Sequence, residues 1–226
     1  MTHALSRRRF FAGGAALLTA SIAARAQVAT PYGDAGAAAE QWFDPALLPP
    51  AESPTDFPVE PADFSKIPRE FRRQLVAYDG PEWPGTVVID PGQRFLYHVR
   101  EGGQAIRYGV GVGRSGFSWS GEARIGLKRR WPRWLPPHEM VVRDENAAKW
   151  ANGMPGGPEN PLGARALYLY ANGADTFYRI HGTNDPGSIG KAMSSGCIRM
   201  LNQDVAALYL VVPVGSQVVV RASSDA

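Results

Sequence analysis

The run IHGTNDPGSIGKAMSSGCIRML, Ile180 to Leu201, holds the chain's only cysteine, Cys197, sixteen residues after His181. A thiol with an ordinary pKa of about 8.5 is mostly protonated at neutral pH, so a nucleophilic cysteine needs a partner that takes its proton, most often a histidine. His181 is the candidate: it ends the strand-like run FYRIH and precedes Gly182, where a strand can deliver a side chain into a cleft. Small residues ahead of the sulfur, Ser194, Ser195 and Gly196, let the backbone bend sharply, and the amides of Gly196 and Cys197 can then face one oxygen. Those are the ingredients of an oxyanion hole, worth ~3 kcal/mol per donor. The competing reading is a buried, inert cysteine behaving as a small hydrophobe. That reading expects apolar neighbours in a regular element, whereas SSGC stands before IRML and the start of a helix. Sequence separation alone does not bring ring and sulfur together, so both readings stay open at this point.

Other chemistry is less well supported. A metal site needs several imidazole or thiolate ligands, and Cys197, His98, His138 and His181 are not at ligand spacing, so no metal is expected. His98 lies inside a strand pattern and reads as a sheet residue; His138, in PPHEM, reads as a surface residue. The run GVGVGRSG, Gly109 to Gly116, has the look of a phosphate-cradling loop, but such a loop must open a helix and here strand-like sequence follows. Glycines in such a place mark bulges or close backbone approach.

The elements that must position these residues are mostly β. From Gly85 onward, TVVID and RFLYHV flank Pro91, Gly92 and Gln93 and predict a hairpin with a three-residue turn. QAIRYGVGV, ARIGLKR, EMVVR, RALYLY and TFYRIHG follow as short runs rich in Val, Ile and Tyr, each predicting a strand, and SQVVVR predicts a closing one. One helix is well marked: Asn202 is its expected cap, Asp204 lies in its first turn and Pro213 stops it. The expected fold is mostly β, a sandwich or barrel with one or two helices near Cys197. Before it, residues 27–82 are rich in proline and alanine and read as a linker or wrapping segment, with a short helix around Pro68 to Val76 that sets Phe71 and Leu75 on one face.

The first 26 residues read as an export signal: SRRRFF, an apolar small-residue run, then ARA at Ala24 to Ala26. The paired arginines before Phe10 and Phe11 resemble a twin-arginine address, and the run is too short to span a bilayer comfortably, which takes ~20 apolar residues. The chain carries 24 basic and 21 acidic residues for a net charge of +3, and removing the signal takes away Arg7, Arg8, Arg9 and Arg25 and no acid. The mature chain is then close to neutral, so nothing points to nucleic acid. A lone cysteine in an oxidising compartment has no partner within the chain; it is buried, paired to another molecule, or kept for its reactivity.

HGT at His181–Thr183 followed by SSGCIR at Ser194–Arg199 resembles the signature of the L,D-transpeptidase catalytic domain, also called the YkuD domain, and the resemblance spans about Gly85 to Arg221. It implies a cofactor-free enzyme of the periplasm whose 83–223 domain acts on peptidoglycan stem peptides. In that scheme Cys197 attacks a diaminopimelate carbonyl, D-alanine leaves, and a thioester forms. His181 is the acid/base, with its other ring nitrogen held by the Gly182 carbonyl, and Gly196 and Cys197 give the oxyanion amides. Ser194 and Arg199 match family positions that line or brace the site, and Ser195, Thr183 and Tyr178 are further candidates for contact with the substrate; Tyr178 and Arg179 are neighbours for which a structural role is the favoured reading, and Arg199 meets either a substrate carboxylate or an internal ion-pair partner. The acceptor is an amine of a second stem, an outer-membrane protein or lipoprotein, or water, and a monomer is the expected state. Many members carry a second histidine where this chain has Ser195, so no role of that histidine transfers.

Overall fold

The computed structural model describes residues 57–113, 119–194 and 196–222. Eleven strands are found among them: β1 (Gln74–Ala77), β2 (Val87–Asp90), β3 (Phe95–Arg100), β4 (Gln104–Gly109), β5 (Val112–Gly113), β6 (Gly121–Arg130), β7 (Arg165–Ala171), β8 (Ala174–His181), β9 (Ala192–Ser194), β10 (Ile198–Arg199) and β11 (Gln217–Val220). Nine of these form one sheet in the order β1-β4-β3-β2-β11-β6-β7-β8-β10, and β5 pairs with β9 in a second, two-stranded sheet. Neighbours in the large sheet are antiparallel except β11 beside β2 and β10 beside β8. A bridge between Gly111, just past β4, and Arg199 of β10 joins opposite ends of the order, so the sheet curls around its core. The architecture is mostly β with few helices, as the strand-like runs predict.

Alternation along the strands drives this burial. Val87, Ile89, Leu96, Ile106, Tyr108, Ile125, Leu167, Leu169, Ile180, Ile198 and Val218 meet in one apolar cluster. Val205 and Leu208 of the helix Asn202–Val211 complete it. Truncating any of these large side chains costs about 2–5 kcal/mol. Lys128 of β6 donates to the carbonyls of Tyr209 and Val212 at that helix's C-terminal end, where a cation is favourable.

Four local expectations are corrected. The hairpin turn between β2 and β3 is four residues, Pro91 to Arg94, because Arg94 adopts a left-handed conformation with φ 62° and the first pair is Asp90 with Phe95. EMVVR is not a strand: His138–Arg143 is helix α1, and a second short helix α2 follows at Glu145–Ala148. Pro136 and Pro137 precede α1, Glu139 and Arg143 complement its dipole, and Asp144 caps α2 through the amides of Asn146 and Ala147. These end signals outweigh the strand preference of Val141 and Val142, the latter left exposed. The third helix α3, Asn202–Val211, is where it was expected, but its N-cap is Leu201 and Asn202 is the first helical residue.

The fourth correction concerns the segment before β2. Instead of a helix across 68–76 there are two 3-10 turns, Phe64–Lys66 and Arg69–Phe71, followed by strand β1 on β4. Pairing to the edge of β4 satisfies the backbone groups that a helix would satisfy internally. Upstream of β1 the chain lies on the domain as a strap: Ile67 is buried with Ile189 and Leu201, and Val59 with Trp131, Ala164 and Ala206. Trp131 Nε1 donates to the Phe57 carbonyl at 2.9 Å. The glycine run proves to be a place of close backbone approach: a Cβ on Gly111 would lie 2.7 Å from the Ser188 carbonyl oxygen. Residues 114–116 of that run, and residues 1–26 that read as an export signal, lie outside the described residues.

Asp204 is buried in the first turn of α3, and neither of its oxygens has a hydrogen-bond partner. Burial raises its carboxyl from 3.8 to about 7, against the opposing pull of Arg73. A raised acid stabilises the fold fully below its unfolded value of 3.8, and that contribution is lost as the pH rises through about 7. Asp204→Asn cannot ionise, so its melting temperature should gain steadily on the wild type across that window and hold the gain above it. Parallel melting curves over the window check this; a constant difference would show that Asp204 is ionised throughout.

Candidate active site

His181 is the last residue of β8, and Cys197 immediately precedes β10. The two strands run parallel with Ile198 opposite Ile180 and Arg199 opposite His181. Ile180 and Ile198 point into the core, so by alternation His181 and Arg199 point to the other face, with Cys197 one step before Ile198 on that face as well. The ladder continues past the ring, where the Met200 amide donates to the His181 carbonyl at 2.8 Å. Cys197 is half-buried at the sheet edge and lies outside the apolar clusters.

The imidazole is held firmly. Nδ1 lies 2.6 Å from the Gly182 carbonyl oxygen. A carbonyl can only accept, so Nδ1 carries the hydrogen and Nε2 of the neutral ring is left to take a proton. Burial pushes the His181 pKa down to about 4, aided by the charges of Arg199 and Arg179 and opposed by the carbonyls of Gly182 and Leu162. Burial pushes the Cys197 thiol up, while the Arg179 amide and the guanidinium groups of Arg179 and Arg199 pull it down. Both environments favour the uncharged pair at rest, a thiol and a neutral imidazole.

Asn202 anchors the loop after His181. Its Oδ1 accepts from the amides of Ala164 at 2.9 Å and Thr183 at 3.1 Å, tying the start of β7 to the end of β8. Gly163 and Gly182 leave room for it, since a Cβ on either would overlap that oxygen. The amide of Gly182 also donates to the Arg165 carbonyl at 3.0 Å. Sequence reasoning missed Asn202 by taking it for a cap; an Asn at a helix start carries no local sign that its side chain serves another strand. Thr183 is buried, with its hydroxyl accepting from the Asp185 amide at 3.0 Å, so it braces the loop from within.

The other expected residues are placed as follows. Tyr178 is half-buried, stacks on Trp119 at 5.8 Å, and lies 3.2 Å from where a Cβ on Gly196 would be. Gly196 has φ 121°, a region that side chains rarely adopt. Arg199 is half-buried and in register with the histidine. Arg179 pairs bidentately with Asp175, both contacts at 2.7 Å, and lies 4.2 Å over the Tyr168 ring. Ser194 closes β9; its side chain and all of Ser195 lie outside the described residues. His98 is buried in β3, far from β8 and β10 in the sheet order, and His138 is exposed at the start of α1. Among the described residues no group of three His, Cys, Asp or Glu side chains could hold a metal ion.

Fold and site define a curled β-sheet protein that presents one histidine and one cysteine on a shared face at a sheet edge. The chain belongs to the L,D-transpeptidase catalytic domain family (YkuD), which it matches over residues 84–220. It is 32% identical over 139 residues to the probable L,D-transpeptidase YbiS of Escherichia coli K12, covering 59% of this chain and 43% of that one. To the putative L,D-transpeptidase YqjB of Bacillus subtilis it is 45% identical over 83 residues, 36% of this chain and 47% of that one. The chain thus spans less than half the length of these curated relatives. Among solved structures it is similar to a Brucella melitensis protein named a probable carnitine operon oxidoreductase, with 49% identity, 70% and 99% coverage and a TM-score of 0.47. A Mycobacterium smegmatis L,D-transpeptidase follows at 18% identity, 61% and 58% coverage and a TM-score of 0.45.

Two outcomes follow from this geometry. Gly196→Ala forces a side chain into a φ of 121° and against the Tyr178 ring, and should slow modification of Cys197 by a substrate-like acylating agent at least tenfold with the fold intact. NMR titration of the His181 ring should give a midpoint near 4; a midpoint at 6.5 would contradict the buried setting. Because the folded value is depressed, the stability this residue contributes is present above 6.5 and is lost as the pH falls through about 4.

Proposed function

We propose that this protein is a cysteine-dependent L,D-transpeptidase that acts on peptidoglycan stem peptides through a thioester. The observation that carries the reading is the placement of His181, with Nδ1 engaged by Gly182, and Cys197 on one face of adjoining parallel strands. Family membership supports it. The sulfur attacks the carbonyl of a diaminopimelate residue while Nε2 of His181 takes the thiol proton. The oxyanion is met by the amides of Gly196 and Cys197. Collapse expels D-alanine, whose amine leaves with the proton from His181. The amine of a second stem then attacks the thioester, loses its proton to the same imidazole, and regenerates the thiol, giving a direct link between two diaminopimelate residues. Water in place of that amine makes the reaction a carboxypeptidase step, and the amine of an outer-membrane protein makes it an anchoring step.

Arg199 and Tyr178 are proposed to meet the stem, together with Ser194 and Ser195, which precede the cysteine in sequence; Thr183, braced within its own loop, supports the histidine. The catalytic domain is proposed to need no cofactor and to work as a monomer in the periplasm, after export directed by residues 1–26. Among the described residues no helix is long and apolar enough to cross a membrane.

The test is covalent. Mature protein incubated with a carbapenem should gain one drug mass at Cys197, and with tetrapeptide stems should release D-alanine. Cys197→Ala should do neither. His181→Ala should stay folded and be acylated ~10²–10⁴-fold more slowly, the range of general-base contributions. A folded wild type that gains no mass, or a Cys197→Ala form that still turns over stems, overturns the reading.

A further inference from the structure

Strand β8 carries an irregularity beside the sulfur. Tyr168 of β7 pairs with Arg179, but Tyr170 pairs with Asp175, so Thr176, Phe177 and Tyr178 stand opposite Leu169 alone. Two extra residues are thereby inserted in β8, a bulge that keeps the inward and outward alternation on both sides. The bulge is built with care. Thr176 Oγ1 donates to the Leu169 carbonyl at 2.7 Å and accepts from the Tyr178 amide at 3.2 Å, which satisfies groups the interrupted ladder leaves over. The Phe177 amide donates to Asp175 Oδ1 at 2.8 Å, and the same carboxylate grips Arg179.

Phe177 itself is disfavoured where it stands. Its φ is 62°, a left-handed conformation uncommon for a bulky aromatic residue, and its side chain is 81% exposed. Neither the strain nor the exposure is offset by packing of the ring. The conformation instead turns the Phe177 carbonyl to the Cys197 sulfur, 4.0 Å away. Strained backbone that persists beside reacting groups points to a use.

We propose that Phe177 is a positioning residue for Cys197: the β8 bulge aims its carbonyl so that the resting S–H donates to it, which fixes the sulfur beside His181 until substrate arrives. This rests on the reading of Cys197 as nucleophile. On attack the S–H···O contact breaks, the proton passes to Nε2 of His181, and the electron pair left on sulfur forms the bond to the substrate carbonyl carbon. The Phe177 carbonyl neither gains nor loses a proton. A thiol is a weak donor, so the contact sets a rotamer rather than holding the fold together.

The single cysteine makes the test direct, because the full chain has one S–H stretching band in the infrared. Thr176→Val removes the hydroxyl that organises the bulge; the band should move to higher wavenumber and carbapenem acylation should slow roughly tenfold to a hundredfold, the scale of an ångström of misplacement. Phe177→Gly accepts the left-handed conformation and keeps the carbonyl, so its band should stay with the wild type. Should Thr176→Val fail to fold, the chain labelled with carbonyl-13C phenylalanine serves: the Phe177 resonance should shift in Cys197→Ala and not in a distant control substitution. A Thr176→Val band that coincides with wild type, or an unmoved Phe177 carbonyl resonance, overturns the proposal. A wild type that is not acylated at all would instead remove the nucleophile reading beneath it.

Discussion

The parallel pairing of β10 with β8 is only two residue pairs long, and the site depends on it. Ile180 and Ile198 bury in the core on one side of this ladder, and that burial fixes the register. A slip of one residue would turn Arg199 and Cys197 toward the core and send Ile198 to the surface. Apolar burial on one face thus sets the chemistry on the other. Since a two-pair ladder has little strength of its own, other contacts must hold it: the Met200 amide on the His181 carbonyl, the Gly111–Arg199 bridge, and Asn202 across the ends of β7 and β8.

Electrostatics at this edge favour neutrality in the resting groups and charge in their neighbours. Burial alone depresses the imidazole and raises the thiol, so neither ionises readily. Arg179 and Arg199 act oppositely on the two: their positive charge discourages an imidazolium and encourages a thiolate. In the proposed reaction these same positive charges would favour the negative charge that develops on attack over an ion pair formed beforehand. Arg179 is kept in place by Asp175, whose carboxylate also organises the bulge, so the charge environment and the backbone geometry share one anchor.

Most strands were legible because Val, Ile and Tyr alternate in short runs; a strand end and a run of small residues marked His181 and Cys197 as candidates, and the parallel register that sets them on one face was not legible. Helix α1 was not, since Val141 and Val142 carry a strand preference and the decisive signal, two prolines ahead of His138, is an end effect. Strand β1 was not legible either: LVA at 75–77 is too short to show a period, and it becomes a strand by finding the open edge of β4. The β8 bulge leaves no trace in hydrophobic pattern, because an insertion of two residues restores the alternation it interrupts. Asn202 was visible and misassigned, its real partners lying nineteen and 38 residues away.

The strap upstream of β1 shows why composition alone understates a segment. Rich in proline and short of period, it reads as a linker, yet Ile67 shares a small core with Ile189 and Leu201. Ile189 belongs to the loop that leads from His181 toward Cys197, and Leu201 is the N-cap of the helix whose next residue clamps that loop. The residues matched to the family begin at 84, so this support comes from outside the matched span. Proline is what lets a short segment do it: fixed φ lowers the entropy lost when the strap is laid down, so a few buried side chains suffice to hold it. The strap is then a wall of the loop between histidine and cysteine, and the rigidity that places these two side chains extends beyond the domain that carries them.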